Sequence, residues 1–195
     1  MKVLIDNGHG KNTPGKRSPD GVLREYLYAR EIADRVVSEL HKYGVDAERI
    51  VKETEDVSIS ERVRRANVEY KNTGRKAFLI SIHCNAAGDG AKWENARGWS
   101  AHIAPNASMK SKELANILAD TTDKMGYRVR KPLPYQSYWL QNLGICRDTN
   151  CPAVLTENFF MDNKEDCDFL LSEKGKNEVV KIHVDSILKF IKAYE

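Results

Sequence analysis

Four residues of this sequence are of types that carry out metal-assisted hydrolysis, and each stands where such a side chain can be aimed into a crevice: His9, Glu25, His83 and Glu157. Two histidines and one carboxylate suit a catalytic zinc, which takes three protein ligands and leaves its fourth position to water. A further carboxylate that does not bind the metal then accepts the proton of the water and passes it to the leaving group. On residue type alone, either glutamate can take either role. Each residue also has a purely structural reading. His83 can be a packed core histidine, and Glu25 a first-turn charge that favours a helix dipole.

The elements that must position these residues can be read from the same sequence. Residues 77–86 (AFLISIHCNA) open as an apolar, β-branched run, which is how a buried strand of a parallel sheet reads, and close on the polar His83 and Asn85. Residues 2–6 form a second such run and lead into Asn7-Gly8-His9-Gly10, where flanking glycines free the backbone to direct a histidine. Residues 153–156 form a third, followed by Glu157. In open α/β sheets ligands bind beyond the carboxyl ends of the strands, so parallel strands would bring all three ends to one edge. Residues 24–43 read as a helix with Ala29, Ile32, Ala33, Val36, Val37 and Leu40 inward and Gly44 at its end. Glu25 lies four residues before Ala29, on that inward face.

The remaining pattern alternates in the same way. Strands are expected at 45–51, 97–104 and 143–147. Helices are expected from a Ser58 or Ser60 cap through Tyr70 with Val63, Ala66 and Val68 apolar, from Ser108 to about 125, from Asp162 or Asn163 to 171, and from Ser172 onward. Residues 11–21 and 87–96 read as polar loops, and 127–141 as a long loop whose Tyr135, Tyr138 and Trp139 line a groove or pack on the core. The expected architecture is a single α/β domain over residues 1–195, a mostly parallel twisted sheet of about six strands with helices on both faces. His102 reads as a packed or edge histidine, His183 as a core histidine, and Arg62, Arg64 and Arg65 as the solvated face of a helix.

Composition narrows the functional classes. The chain has 195 residues, 41% hydrophobic and 30% charged, with a net charge of +3. That mild basic balance suits an anionic polymer such as cell wall and gives no basic stripe for nucleic acid. No apolar run has the length for membrane insertion. Cys84, Cys146, Cys151 and Cys167 form no C-x-x-C pair and read as reduced, buried thiols. Gly8-His9-Gly10 does not continue into a phosphate-binding glycine motif. The first residues pass straight into a strand with no leader, an expectation that fits a phage-type lysin or a secreted enzyme without its leader.

Five short motifs occur in order: IDNGHG at 5–10, LRE at 23–25, SER at 60–62, SIHCNA at 81–86 and AVLTE at 153–157. Together they resemble the zinc-dependent N-acetylmuramoyl-L-alanine amidases of the type-3 family, over nearly the whole chain. The resemblance implies hydrolysis of the amide between N-acetylmuramic acid and L-alanine of peptidoglycan, and action on the cell wall in the periplasm or outside the cell. It implies one Zn2+ per chain, held by His9, Glu25 and His83, with Glu157 catalytic. Arg147 falls where relatives often carry a basic or polar residue. It and Asn85 are the substrate-binding candidates. The sequence departs from the family at Asn7 and at Cys84, and neither departure removes a ligand. Its 87–96 loop is too short for the inserted regulatory helix of some periplasmic members. Two alternatives are a zinc peptidase acting on free peptides and a catalytically silent wall-binding module.

Overall fold

Alternating apolar side chains on one sheet create two separate cores, and this organises the molecule. The computed structural model describes residues 1–194. In chain order the elements are β1 (Lys2–Asn7), α1 (Glu25–Lys42), β2 (Ala47–Arg49), α2 (Ile59–Asn72), β3 (Ala77–Asn85), β4 (Ser100–Ile103), α3 (Met109–Lys124), β5 (Tyr138–Leu140), α4 (Gly144–Arg147), β6 (Ala153–Phe160), α5 (Lys164–Leu171) and α6 (Glu173–Tyr194). The six strands form one sheet in the order β2-β1-β3-β6-β4-β5. β2, β1, β3 and β6 run parallel, β4 lies antiparallel against β6, and β5 runs parallel to β4.

The period of two in a strand sends neighbouring residues to opposite faces. On one face Val3, Ile5, Phe78, Ile80 and Val154 meet Ile32 and Val36 of α1 and Ile187 and Phe190 of α6. On the other, Leu4, Leu79 and Leu155 meet Val63 and Ala66 of α2 and Ile145 of α4. Both faces are covered, which is why β3 reads as an unbroken apolar run rather than as an alternation. Polar caps set the helix starts. The hydroxyls of Ser58 and Ser108 and the side chain of Asn163 accept from backbone N–H groups three residues on.

Three expectations need correction. Residues 143–147, read as a strand, instead hold the short helix α4 with Leu143 as its N-cap. The Leu143 carbonyl accepts from the N–H groups of Cys146 and Arg147 at 3.0 and 2.8 Å, and Ile145 and Cys146 join the α2 core. The sixth strand is instead β5, inside the segment read as loop; it pairs only with β4, as a three-residue edge needing one ladder. Val68 is 43% exposed rather than inward. Of the aromatic residues in that segment, Tyr138 and Trp139 are half-buried and Tyr135 is 84% exposed.

Candidate metal centre and its surroundings

The parallel strands β1, β3 and β6 end on one edge, and α1 begins beside it. His83 and Glu157 occupy directly paired positions of β3 and β6, and therefore the same face. β6 continues to Phe160, so Glu157 lies within the strand rather than at its end, as the sequence had suggested. β3 carries a register irregularity between His83 and Asn85. Glu25, at the first position of α1, reaches this edge from the opposite face of the sheet and is 1% exposed. The Cys84 N–H donates to its Oε1 at 3.1 Å.

Three side chains converge there. His83 Nδ1 lies 3.0 Å from Glu25 Oε1, and His9 Nε2 lies 3.3 Å from Glu25 Oε2. The two imidazoles meet edge to face, with centroids 4.9 Å apart. One donor atom from each of the three residues lies within 4.8 Å of the other two, and no other such group occurs among the described residues. Glu25 Oε2 is buried and accepts no hydrogen bond. A buried carboxylate oxygen without a donor, faced by two imidazoles, needs a cation. Two nitrogens and one oxygen are the donor set of an open zinc site, so these residues fit that metal.

The electrostatics separate the two glutamates. Burial works against the charge of Glu25, but the imidazoles of His83 and His9 beside it hold its carboxyl well below the usual carboxylate range. Glu157 has no such donors, and its Oε2 is buried without a partner. Burial, with the charge of Glu25 acting in the same direction, pushes Glu157 up to about 7 against the pull of His83. Glu25 is thus held in its charged form, whereas burial favours the protonated form of Glu157.

The support for His9 was not foreseen. Arg62, read as solvated, is 2% exposed. It spends all five N–H groups: Nε on the Val57 carbonyl at 2.7 Å, Nη1 on Asp6 Oδ1 and the Asn7 carbonyl at 2.7 Å each, and Nη2 on the His9 carbonyl at 3.2 Å and Asp56 Oδ1 at 2.9 Å. Arg30 of α1 donates to the same His9 carbonyl at 3.0 Å. The glycines beside His9 allow close approach. A Cβ on Gly8 would meet Cε1 of His83 at 2.3 Å, and one on Gly10 the backbone of Asp56 at 2.0 Å. A cleft of about 500 Å3 opens beside His9 and His83, with Val57, Ile59, Leu143 and Asn142 among its walls.

Arg147 and Asn85 are not drawn into this cluster. The Arg147 guanidinium binds Asp148 and Asn142, and it borders a separate cleft with Asn106 and Cys151. Asn85 Oδ1 accepts from the adjacent Ala86 N–H at 2.9 Å. His102 and His183 are buried, as expected of core histidines, and burial pushes both down to about 4. The four cysteines are free and buried. Burial pushes Cys146 and Cys151 up to about 12, which leaves them inert as nucleophiles. Residues 87–96 form a loop without a helix, and its Ala87 and Gly88 N–H groups are held by Asp162 at 2.8 Å.

Comparison with known proteins places these features in context. The family model of N-acetylmuramoyl-L-alanine amidases matches residues 3–189. The chain is similar to the endolysin of Bacillus phage SPP1, at 27% identity over 97% of this chain and 65% of that protein. It is also similar to the N-acetylmuramoyl-L-alanine amidase CwlM of Bacillus licheniformis, at 27% identity over 97% of this chain and 68% of the relative. It thus spans about two thirds of the length of each. Among solved structures, an N-acetylmuramoyl-L-alanine amidase from Clostridium difficile 630 superposes with a TM-score of 0.83 at 27% identity, covering 100% of this chain and 98% of that one.

Proposed function

On the premise that the chain belongs to the N-acetylmuramoyl-L-alanine amidase family, a family of hydrolases, we propose that it hydrolyses the amide joining N-acetylmuramic acid to the L-alanine of the peptidoglycan stem peptide. Residues 1–195 act as one catalytic unit, and the site of action is the cell wall. His9, Glu25 and His83 hold zinc. When bound, the metal supplies Lewis-acid polarisation of the lactyl carbonyl and brings the pKa of water toward neutrality.

The chain's own residues do the rest. Glu157 takes the proton of the attacking water as the new C–O bond forms, then delivers it to the departing alanine nitrogen as the C–N bond breaks. Burial favours its protonated form, the form that delivers the proton to the leaving nitrogen. The cleft beside His9 and His83 would take the substrate, and its apolar wall favours the aliphatic parts. Arg147 and Asn85 act farther along the bound polymer.

The observation that carries this reading is the cross-strand pairing of His83 with Glu157 at the edge where His9 and Glu25 converge. Digestion of purified peptidoglycan with and without zinc, followed by mass spectrometry, tests it. The expected products are glycan strands and stem peptides with a new N-terminal L-alanine. Cleavage confined to free peptides would make the protein a zinc peptidase instead. Zinc uptake without any cleavage would leave a silent wall-binding module.

A further inference from the structure

The two ring nitrogens of His83 face different surroundings. Nδ1 points to Glu25 and the donor cluster, at 3.0 Å from Oε1. Nε2 points back along β3 to the hydroxyl of Ser81, at 3.1 Å. Ser81 is two residues earlier on the strand, so the period of two places it on the same face. Its Oγ also lies 2.5 Å from Asp6 Oδ2, and the other oxygen of Asp6 accepts from Arg62 Nη1 at 2.7 Å. Ser81 is 0% exposed, and Asp6 and Arg62 are 2% exposed each, so water does not compete for these bonds.

The direction of each bond in this chain is determined. A carboxylate ion-paired with a guanidinium is acceptor only. Asp6 therefore takes the single hydroxyl proton of Ser81, which leaves Ser81 only lone pairs to offer His83. Nε2 must then be the nitrogen that carries the proton. Nδ1 is then the nitrogen that can present a lone pair to a metal, which would displace any proton shared there with Glu25 Oε1 at 3.0 Å. The opposite tautomer would set two lone pairs against each other at Ser81, uncompensated, whereas a proton on Nδ1 is met by Glu25 Oε1 at 3.0 Å. Gly8 limits the ring further, since its Cα lies too close to His83 to admit even a Cβ.

We propose that Ser81, primed by Asp6, is a positioning residue that selects the metal-binding tautomer of His83. The proposal rests on the zinc reading above and adds to it a group that touches neither metal nor substrate. Outer partners of metal-bound histidines change metal affinity by roughly 10–100-fold when removed. The same range is expected here.

The test is zinc affinity of the chelator-stripped protein, measured by competition with a chromophoric chelator, for wild type, Ser81→Ala and Ser81→Thr. Ser81→Ala leaves Asp6 Oδ2 without its donor and should lower the urea midpoint of the stripped protein. Under denaturant-free conditions where it stays folded, it should bind zinc roughly 10–100-fold more weakly. Ser81→Thr restores a hydroxyl and should recover most of the affinity. In the stripped wild type with His83 neutral, 15N NMR should show its remaining proton on Nε2, a preference that Ser81→Ala should weaken. Wild-type affinity and an unchanged tautomer in Ser81→Ala would overturn the proposal. So would an affinity loss that only follows a loss of fold stability. If wild type takes up no zinc, the metal reading falls and this proposal with it.

Discussion

Arg62 donates from Nη2 to the carbonyl oxygen of His9 at 3.2 Å, and the backbone of His9 is left-handed, with φ 59°. That conformation costs a non-glycine residue about 1–3 kcal/mol and persists only where the surroundings impose it. Here they do so from both sides of the sheet, because Arg30 of α1 binds the same oxygen at 3.0 Å. The aim of one metal ligand thus depends on two guanidiniums carried by helices on opposite faces.

Replacing Arg62 by Met should therefore be among the most damaging single changes. It leaves Asp6 buried without its partner, which costs about 3–5 kcal/mol. It also frees the His9 carbonyl from one of its two holders. Arg62→Lys should recover only part of this, since one ammonium cannot reproduce the planar five-donor fork. Urea unfolding of the stripped protein measures the effect, and a loss below about 1 kcal/mol would show that the pair is not effectively buried.

Gly8→Ala should act differently. Gly8 does not have a positive φ, so the backbone tolerates alanine, but the new Cβ would lie 2.3 Å from the His83 ring. The ring must turn away, and zinc affinity should fall at least about tenfold, the range in which ligand orientation matters. Competition titration with a chelator reads this. Unchanged affinity would mean that the ring has room that the structure does not give it.

Why some of this was legible and some was not comes down to one rule applied unevenly. Glu25 was found because it lies four residues before Ala29, in register with a buried stripe. Arg62 lies four residues before the buried Ala66 and satisfies the same rule, yet its neighbours Arg64 and Arg65 made it look like a solvated face. Asp6 is a charged residue closing a buried strand, an equally strong signal. The sheet and its two helical layers followed from long periodic runs, which are decided by many residues at once. Residues 138–140 and 143–147 were exchanged between strand and non-strand because three to five residues carry too little periodicity to separate the two.

Stability should fall with acid through the core histidines. His183 is buried, with Nδ1 against the Val179 carbonyl at 2.8 Å and Nε2 against Thr156 Oγ1 at 3.0 Å, and burial lowers it from 6.5 to about 4. Between those values the unfolded chain binds a proton that the native chain refuses. Stability is therefore fully present above about 6.5 and is lost as pH falls toward about 4, by at most about 1.4 kcal/mol per pH unit and about 3 kcal/mol in all. His102, also lowered to about 4, adds a contribution of the same sign. Urea unfolding of stripped wild type and His183→Gln at pH 7 and pH 5 checks this. The variant should lose distinctly less between the two, and equal losses would contradict the assignment.

The most direct measurement of the central claim takes Glu157→Ala beside wild type, determining bound zinc and the release of stem peptides from peptidoglycan on the same preparations. The account predicts one zinc per chain in both, with release of peptides bearing N-terminal L-alanine by wild type only. General acid–base groups of this kind contribute about 10²–10⁴-fold, so the variant should fall by at least that much. A Glu157→Ala protein that holds zinc and cleaves at the wild-type rate would contradict it.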